Sequence, residues 1–267
     1  MGDVMTKVFT IASGKGGTGK TMTTVNLGTA LAMMGKRTIA LDADIGMANL
    51  GLVLGLEKSK ITLHEVLAGK ADVSQAIYEL PTGLKVVPSG ISLQGFQNAD
   101  PDRLQDVMGK LVAGADFILI DAPAGISKDG VIPLAIADEV LLVVNPELSS
   151  MADAVKTKVL TEMVGGSVGG IVLNRASAEK TELTSQKIGD IMGVRVLEVI
   201  PEDPSVRRAA AFKTPVVVKY PDSPAALAYK RLAARVAGGV RKDESGKEAG
   251  KSEGFIDRLA RSLFKGG

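Results

Sequence analysis

An α/β fold is the expectation here: a mainly parallel, twisted sheet with helices on both faces, followed by a C-terminal amphipathic tail helix. Three observations carry it. Short β-branched apolar runs recur from residue 7 to residue 201, and helix-patterned stretches separate most of them. The runs are apolar almost without interruption, as strands buried on both faces require. The chain has 267 residues, 45% of them hydrophobic, which suits one large domain better than two complete ones.

The elements follow in order. KVFTIAS (7–13) reads as a strand, then comes a glycine-rich loop, then a helix through TMTTVNLGTALAMMG. RTIALDAD (37–44), LKVVPSG (84–90), DFILIDAP (116–123), EVLLVVNP (139–146), VGGIVLNR (168–175) and RVLEVIP (195–201) are the further strands. The helix pattern SPAALAYKRLAARVAGG closes the body near residue 239, so 1–237 is expected to form one domain. Ligands of such sheets sit at the carboxyl ends of the strands.

Composition removes several chemistries. Cysteine is absent, which excludes disulfides, thiolate metal sites and cysteine nucleophiles. His64 is the one histidine, so serine–histidine catalysis and histidine metal clusters are also excluded. It lies in ITLHEVLAG, a short helix pattern, and is expected to be an ordinary structural or surface residue. The balance of 32 basic and 30 acidic residues gives no global field for nucleic acid. No secretory pattern opens the chain, and VIPLAIADEVLLVV, broken by Asp138 and Glu139, is too short to span a bilayer. A soluble or peripherally attached protein of a reducing compartment is expected.

GKGGTGKT (14–21) matches G-x-x-x-x-G-K-[ST] in full, with a strand before it and a helix after it. Gly14, Gly16, Gly17 and Gly19 would let backbone N–H groups wrap phosphates, with Thr18 between them. Lys20 would reach the β- and γ-phosphates, and the Thr21 hydroxyl would sit on Mg²⁺. Met22 adds a backbone N–H, and the helix points its positive end at the anion.

Lys15 gives K-G-G-T-G-K-T, and with it the chain resembles the deviant-Walker ATPases, the MinD/ParA group of P-loop NTPases. LDADIGMANLGLVLG (41–55) resembles that family's switch I, FILIDAPAGI (117–126) its Walker B-like strand and switch II, and VLNRAS (172–177) and VIPEDPSVRRAA (199–210) its segments that cradle adenine. The resemblance covers 7 to about 237 and resumes at 254–265. It implies ATP and Mg²⁺ as cofactors, hydrolysis of ATP, and a homodimer in which Lys15 contacts the partner's nucleotide. By the same resemblance Asp44 orients the attacking water, Asp42 supports the loop and the metal shell, and Asp121 approaches Mg²⁺ through water. Asn49 falls where the family also has asparagine. Two carboxylates two apart on a strand, Asp42 and Asp44, would share a face. Asn174 and Pro201 are the candidates for base contact; the lack of an N-K-x-D motif in the expected place favours ATP over GTP. NPELSSMADAVKT (145–157) resembles the dimer and partner face, where a regulatory or activator protein would dock. Asp153 there is either a partner contact or an N-terminal helix charge.

Residues 238–254 carry four basic and four acidic side chains and five glycines, and are expected to form a flexible linker. On a helical wheel of about 100° per residue, Phe255, Ile256, Leu259, Ala260, Leu263 and Phe264 share one half. Asp257, Arg258, Arg261, Ser262 and Lys265 fill the other, as in a helix lying on anionic lipid. The alternative is a helix packed on the body or on a protein. With this tail, the resemblance implies a cytoplasmic ATPase, reversibly peripheral on the membrane, that positions division or other polar machinery. Two rivals share the nucleotide site. A DNA-partition ATPase would use a patch drawn from Arg207, Arg208, Lys213, Lys230, Arg231 and Arg235, and a flagellar-number regulator would share the tail as well. A nucleotide-dependent scaffold with negligible turnover is a further class.

Overall fold

The computed structural model describes residues 5–125, 128–177 and 184–238. In chain order these form β1 (Lys7–Ala12), α1 (Lys20–Met33), β2 (Thr38–Asp42), α2 (Leu50–Val53), α3 (Leu63–Leu67), β3 (Tyr78–Glu79) and β4 (Lys85–Val87). Next come α4 (Leu93–Asn98), α5 (Leu104–Leu111), β5 (Phe117–Asp121), α6 (Lys128–Ile136), β6 (Glu139–Val144) and α7 (Leu148–Met163). The chain continues through β7 (Val168–Ala176), α8 (Ser185–Met192), β8 (Val196–Pro201), α9 (Pro204–Ala211), α10 (Val216–Lys219) and α11 (Pro224–Ala237).

One sheet runs in the order β3-β4-β2-β5-β1-β6-β7-β8. Every pairing is parallel except β3 with β4, an edge pair of two residues each. That short antiparallel strand is absent from the sequence reading, because two residues carry no periodic signal.

Strand pleat divides the core. Phe9 and Ile11 of β1 face a cluster with Leu27 and Leu31 of α1 and Tyr229 and Leu232 of α11. Val8, one residue away, joins Ile39, Leu41, Leu63 of α3 and Val107 of α5 on the opposite face. Leu142 and Val144 pack with Met151 of α7 and Ile188 of α8 in a third cluster. Both faces are therefore covered by helices, which is why the strands read as continuous apolar runs.

The order in which strands join the sheet reverses at β1, whose neighbours β5 and β6 lead to its two halves. The loop after β1 thus opens at the switch point, where parallel α/β sheets leave a crevice. Ser223 caps α11 by accepting from the Ala226 N–H, and Pro224 takes its first position. Among the described residues no helix is long and apolar enough to cross a membrane. Ile126, the linker from residue 239 onward, and Phe255, Ile256, Arg258, Leu259, Arg261, Leu263, Phe264 and Lys265 lie outside the described residues.

Candidate functional site

Residues 14–19 join β1 to α1, and neighbouring elements press on both ends of this loop. A Cβ at Gly14 would overlap the Asp153 backbone of α7. At Gly19, where φ is 98°, a Cβ would overlap the Asn174 amide at the end of β7. Asn174 Nδ2 donates to the Thr18 carbonyl at 2.7 Å, tying β7 to the loop. Glycine at these two positions is dictated by close approach as well as by phosphate access.

Lys20 is 8% exposed and makes no ion pair or hydrogen bond through its ammonium among the described residues. Burial pushes its pKa down, and the charges of Asp121 and Asp44 pull the other way. The buried Thr18 hydroxyl also lacks a partner among the described residues. A buried cation and an unmatched hydroxyl donor, at a helix N-terminus inside a glycine-rich loop, fit an anion with several oxygens.

Asp42 and Asp121 are register partners on β2 and β5, and both are buried. Asp121 accepts from Thr21 Oγ1 at 2.6 Å and Thr24 Oγ1 at 3.3 Å. Burial raises its pKa to about 6, against the pull of the Thr21 hydroxyl and Lys20. Asp42 accepts from the Asp44 N–H at 3.2 Å and the Leu50 N–H at 3.1 Å. Burial, then the Asp121 charge, lift it well above the carboxylate range. Asp42 thus spans both ends of the loop 43–49 and braces it.

Asp44 does not share a strand face with Asp42. β2 stops at Asp42, because beyond it the chain turns to place the Asp44 carboxylate on the Met47 N–H at 2.9 Å. Asp44 is half-buried and within electrostatic reach of Lys20; burial raises its pKa, the Met47 N–H and Lys20 oppose. Asn49 donates to the Met47 carbonyl at 2.7 Å. Among the described residues no three ligand-type side chains of histidine, cysteine, aspartate or glutamate gather around a metal position. The carboxylates of Asp121 and Asp44 both act on the Lys20 charge.

A cavity of about 190 Å³ adjoins the loop and is lined by Gly19, Met22, Asn174, Pro201, Asp203 and Tyr229 among others. It brings together both candidate base contacts. Arg175 also lines it, with φ at 55°, a left-handed backbone that non-glycine residues adopt at a cost. No sequence pattern marks that strain, which shows only in the folded backbone.

The match to a family model settles the kinship: residues 9–216 fit the CobQ/CobB/MinD/ParA nucleotide binding domain. The chain belongs to this family. An uncharacterised ATP-binding protein of Methanocaldococcus jannaschii is 47% identical over 261 residues, 98% of each chain. The septum site-determining protein MinD of Pyrococcus horikoshii, solved complexed with Mg-ADP, is 39% identical with a TM-score of 0.83. That match covers 90% of this chain and all of the other. MinD in the Aquifex aeolicus MinC:MinD complex is 32% identical, with a TM-score of 0.77 and coverage of 90% and 98%.

Within this MinD/ParA frame, the Lys15 side chain is held by its own chain. Its ammonium lies 3.0 Å from Glu147 and 3.2 Å from the Ser149 hydroxyl, at the N-terminus of α7. Asp153 is the sixth residue of α7, past the first turn, and pairs with Lys156 at 3.1 Å. The helix-terminus reading of Asp153 therefore fails on geometry; its backbone instead buttresses Gly14. Cations of the rival DNA patch are mostly engaged. Arg231 and Arg235 converge on the buried Glu198 at 3.0 and 3.4 Å. Lys213 pairs with Glu57, Lys230 donates to the Pro221 carbonyl at 2.7 Å, and Arg208 lies over the Tyr220 ring. Arg207 lines the cavity.

Proposed function

We propose that this chain is a MinD-like ATPase. It binds ATP with Mg²⁺, pairs with a second copy in that state, and attaches to the cytoplasmic face of the membrane through residues 255–267. Hydrolysis separates the pair and releases the tails, so the protein positions division or other polar machinery. The observation that carries the reading is Lys20, a buried ammonium without an ion pair in a glycine-rich loop beside Thr21 and Asp121. A relative complexed with Mg-ADP supports the cofactors, and a relative complexed with MinC supports a regulatory protein partner.

Each residue has a part. Lys20, the loop from Gly14 to Gly19 and the N–H groups of Thr21 and Met22 hold the phosphates. The Thr21 hydroxyl and, through water, Asp121 would hold Mg²⁺, an ion that prefers oxygen ligands. Mg²⁺ supplies charge neutralisation at the phosphates. Asp44 orients the attacking water; Asp42 fixes the loop that carries it. Asn174 and Pro201 frame the base. Lys15 leaves Glu147 to reach the partner's nucleotide. That exchange is cheap, because an ion pair this exposed contributes about 0–1 kcal/mol.

Gel filtration and vesicle flotation, with ADP and with a non-hydrolysable ATP analogue, test the reading on the full chain and on one ending at Gly239. Dimers that float are expected only for the full chain with the analogue; the shortened chain should pair without floating. Equal flotation in both nucleotides would reject the coupling. Lys15→Ala should stay monomeric and off the vesicles.

A further inference from the structure

We propose that His64, outside the phosphate site, is a positioning residue: it clamps the switch loop 43–49 and so holds Asp44 where water must be oriented. The role rests on the ATPase reading above. His64 Nε2 lies 2.9 Å from the Ile45 carbonyl, the residue next to Asp44. A carbonyl only accepts, so Nε2 carries the proton. The side chain is 1% exposed, and Nδ1 is buried without a partner among the described residues.

That bare nitrogen is the informative detail. A buried polar atom left unpaired is unfavourable, whereas an apolar side chain of similar size would pack without the penalty. What the imidazole alone adds is the hydrogen bond to the loop. The ring is also pinned. A Cβ at Gly90 or at Gly95 would come within 2.5 and 2.6 Å of Nδ1, so both glycines press on it. Helix α3 is fixed in turn by its capping box, Thr62 with Glu65, and by the Leu63 N–H to the Pro88 carbonyl at 2.9 Å.

The loop has few other anchors. At its ends the Ala43 N–H donates to the Asp121 carbonyl at 3.0 Å and the Asn49 carbonyl accepts from the Val53 N–H at 3.1 Å. The side-chain ties of Asp42 to both ends, Asp44 to Met47 and Asn49 to the Met47 carbonyl all lie within 42–50. Among the described residues, His64 gives 44–49 its one side-chain hydrogen bond from beyond that stretch. The Ile45 side chain is buried in the same core cluster as Leu63 and Val66 of α3. Side chain and carbonyl of Ile45 therefore both register the loop against α3.

Two variants separate the bond from the packing. His64→Leu fills the space without a donor; His64→Gln returns an amide N–H near the Nε2 position. Hydrogen exchange at the Met47 and Leu50 amides reads the clamp. ATP turnover with lipid reads its consequence, and fluorescent ADP binding and the melting temperature confirm an intact fold. For His64→Leu we expect exchange to quicken at least about fivefold, as loss of one hydrogen bond implies. Its turnover should fall on the order of tenfold to a hundredfold, with ADP affinity unchanged. His64→Gln should recover most of both. Unchanged exchange or turnover in folded His64→Leu, or equal losses in both variants, would overturn the proposal. A wild-type chain that never hydrolyses ATP would sink the ATPase reading instead, while the exchange comparison would still decide the clamp.

Discussion

Asp42 and Asp121 lie side by side on adjacent strands, both buried, with no ion pair to either among the described residues. Such a pair resists double ionisation until a cation arrives. Asp121 titrates at about 6 when folded, above the ordinary 3.8, so the folded chain binds this proton more tightly than the unfolded chain does. Its contribution to stability is therefore full below about pH 4 and is lost as pH rises through about 6. In metal-free protein, Asp121→Asn should raise the melting temperature at about pH 7.5 and flatten its fall between about pH 4 and 7. It should also abolish the Mg²⁺-dependent part of the stabilisation by ADP. Scanning fluorimetry across pH, with and without Mg-ADP, checks both. Mg²⁺ competes with the same proton, so wild-type stabilisation by Mg-ADP should shrink as pH falls through about 6.

Two elements shape the phosphate loop from outside it. Helix α7 brings the Asp153 backbone against Gly14, and β7 brings the Asn174 amide against Gly19. A side chain at Gly14 must displace α7 or the loop, whereas one at Gly16 would meet its nearest neighbour, Ala124, at 4.0 Å. Gly14→Ala should therefore lower nucleotide-free stability by about 1–3 kcal/mol, the usual cost of overpacking, while Gly16→Ala should leave it nearly unchanged. Urea melts of both variants without nucleotide test that order. Helix α7 also carries, near its N-terminus, the groups that hold Lys15, so a shift of this helix alters the loop and the Lys15 side chain together.

At the scale of the whole molecule, the sheet reversal places the loop after β1, the Asp121 end of β5 and the cavity beside β7 and β8 on one edge. Our reading joins that edge to a tail beyond α11 by avidity. One short amphipathic segment buries too little to bind firmly after the cost of ordering it. Two on one dimer gain about 10²–10⁴-fold. Residues 238–267 fused to a monomeric fluorescent carrier should bind anionic vesicles weakly. The same fusion on a dimeric carrier should bind them on the order of a hundredfold or more tightly. Vesicle titration of the two fusions checks this, and similar affinities would remove avidity from the account.

Sequence alone determined the parallel sheet, the loop and the candidates Lys20, Thr21 and Asp121, because apolar runs and phosphate motifs are local patterns read along the chain. Asn174 and Pro201 were candidates from the sequence, and folding brings them to one cavity. Only the tertiary structure decided that Asp42 braces the loop by backbone amides and that Asp44 leaves its strand face. It alone set Lys15 on Glu147, gave Arg175 its left-handed backbone and placed His64 under Ile45. Glu147 is 132 residues from Lys15, and Ile45 is 19 from His64. Contacts at such separations depend on packed helices and strand register, which no local pattern encodes.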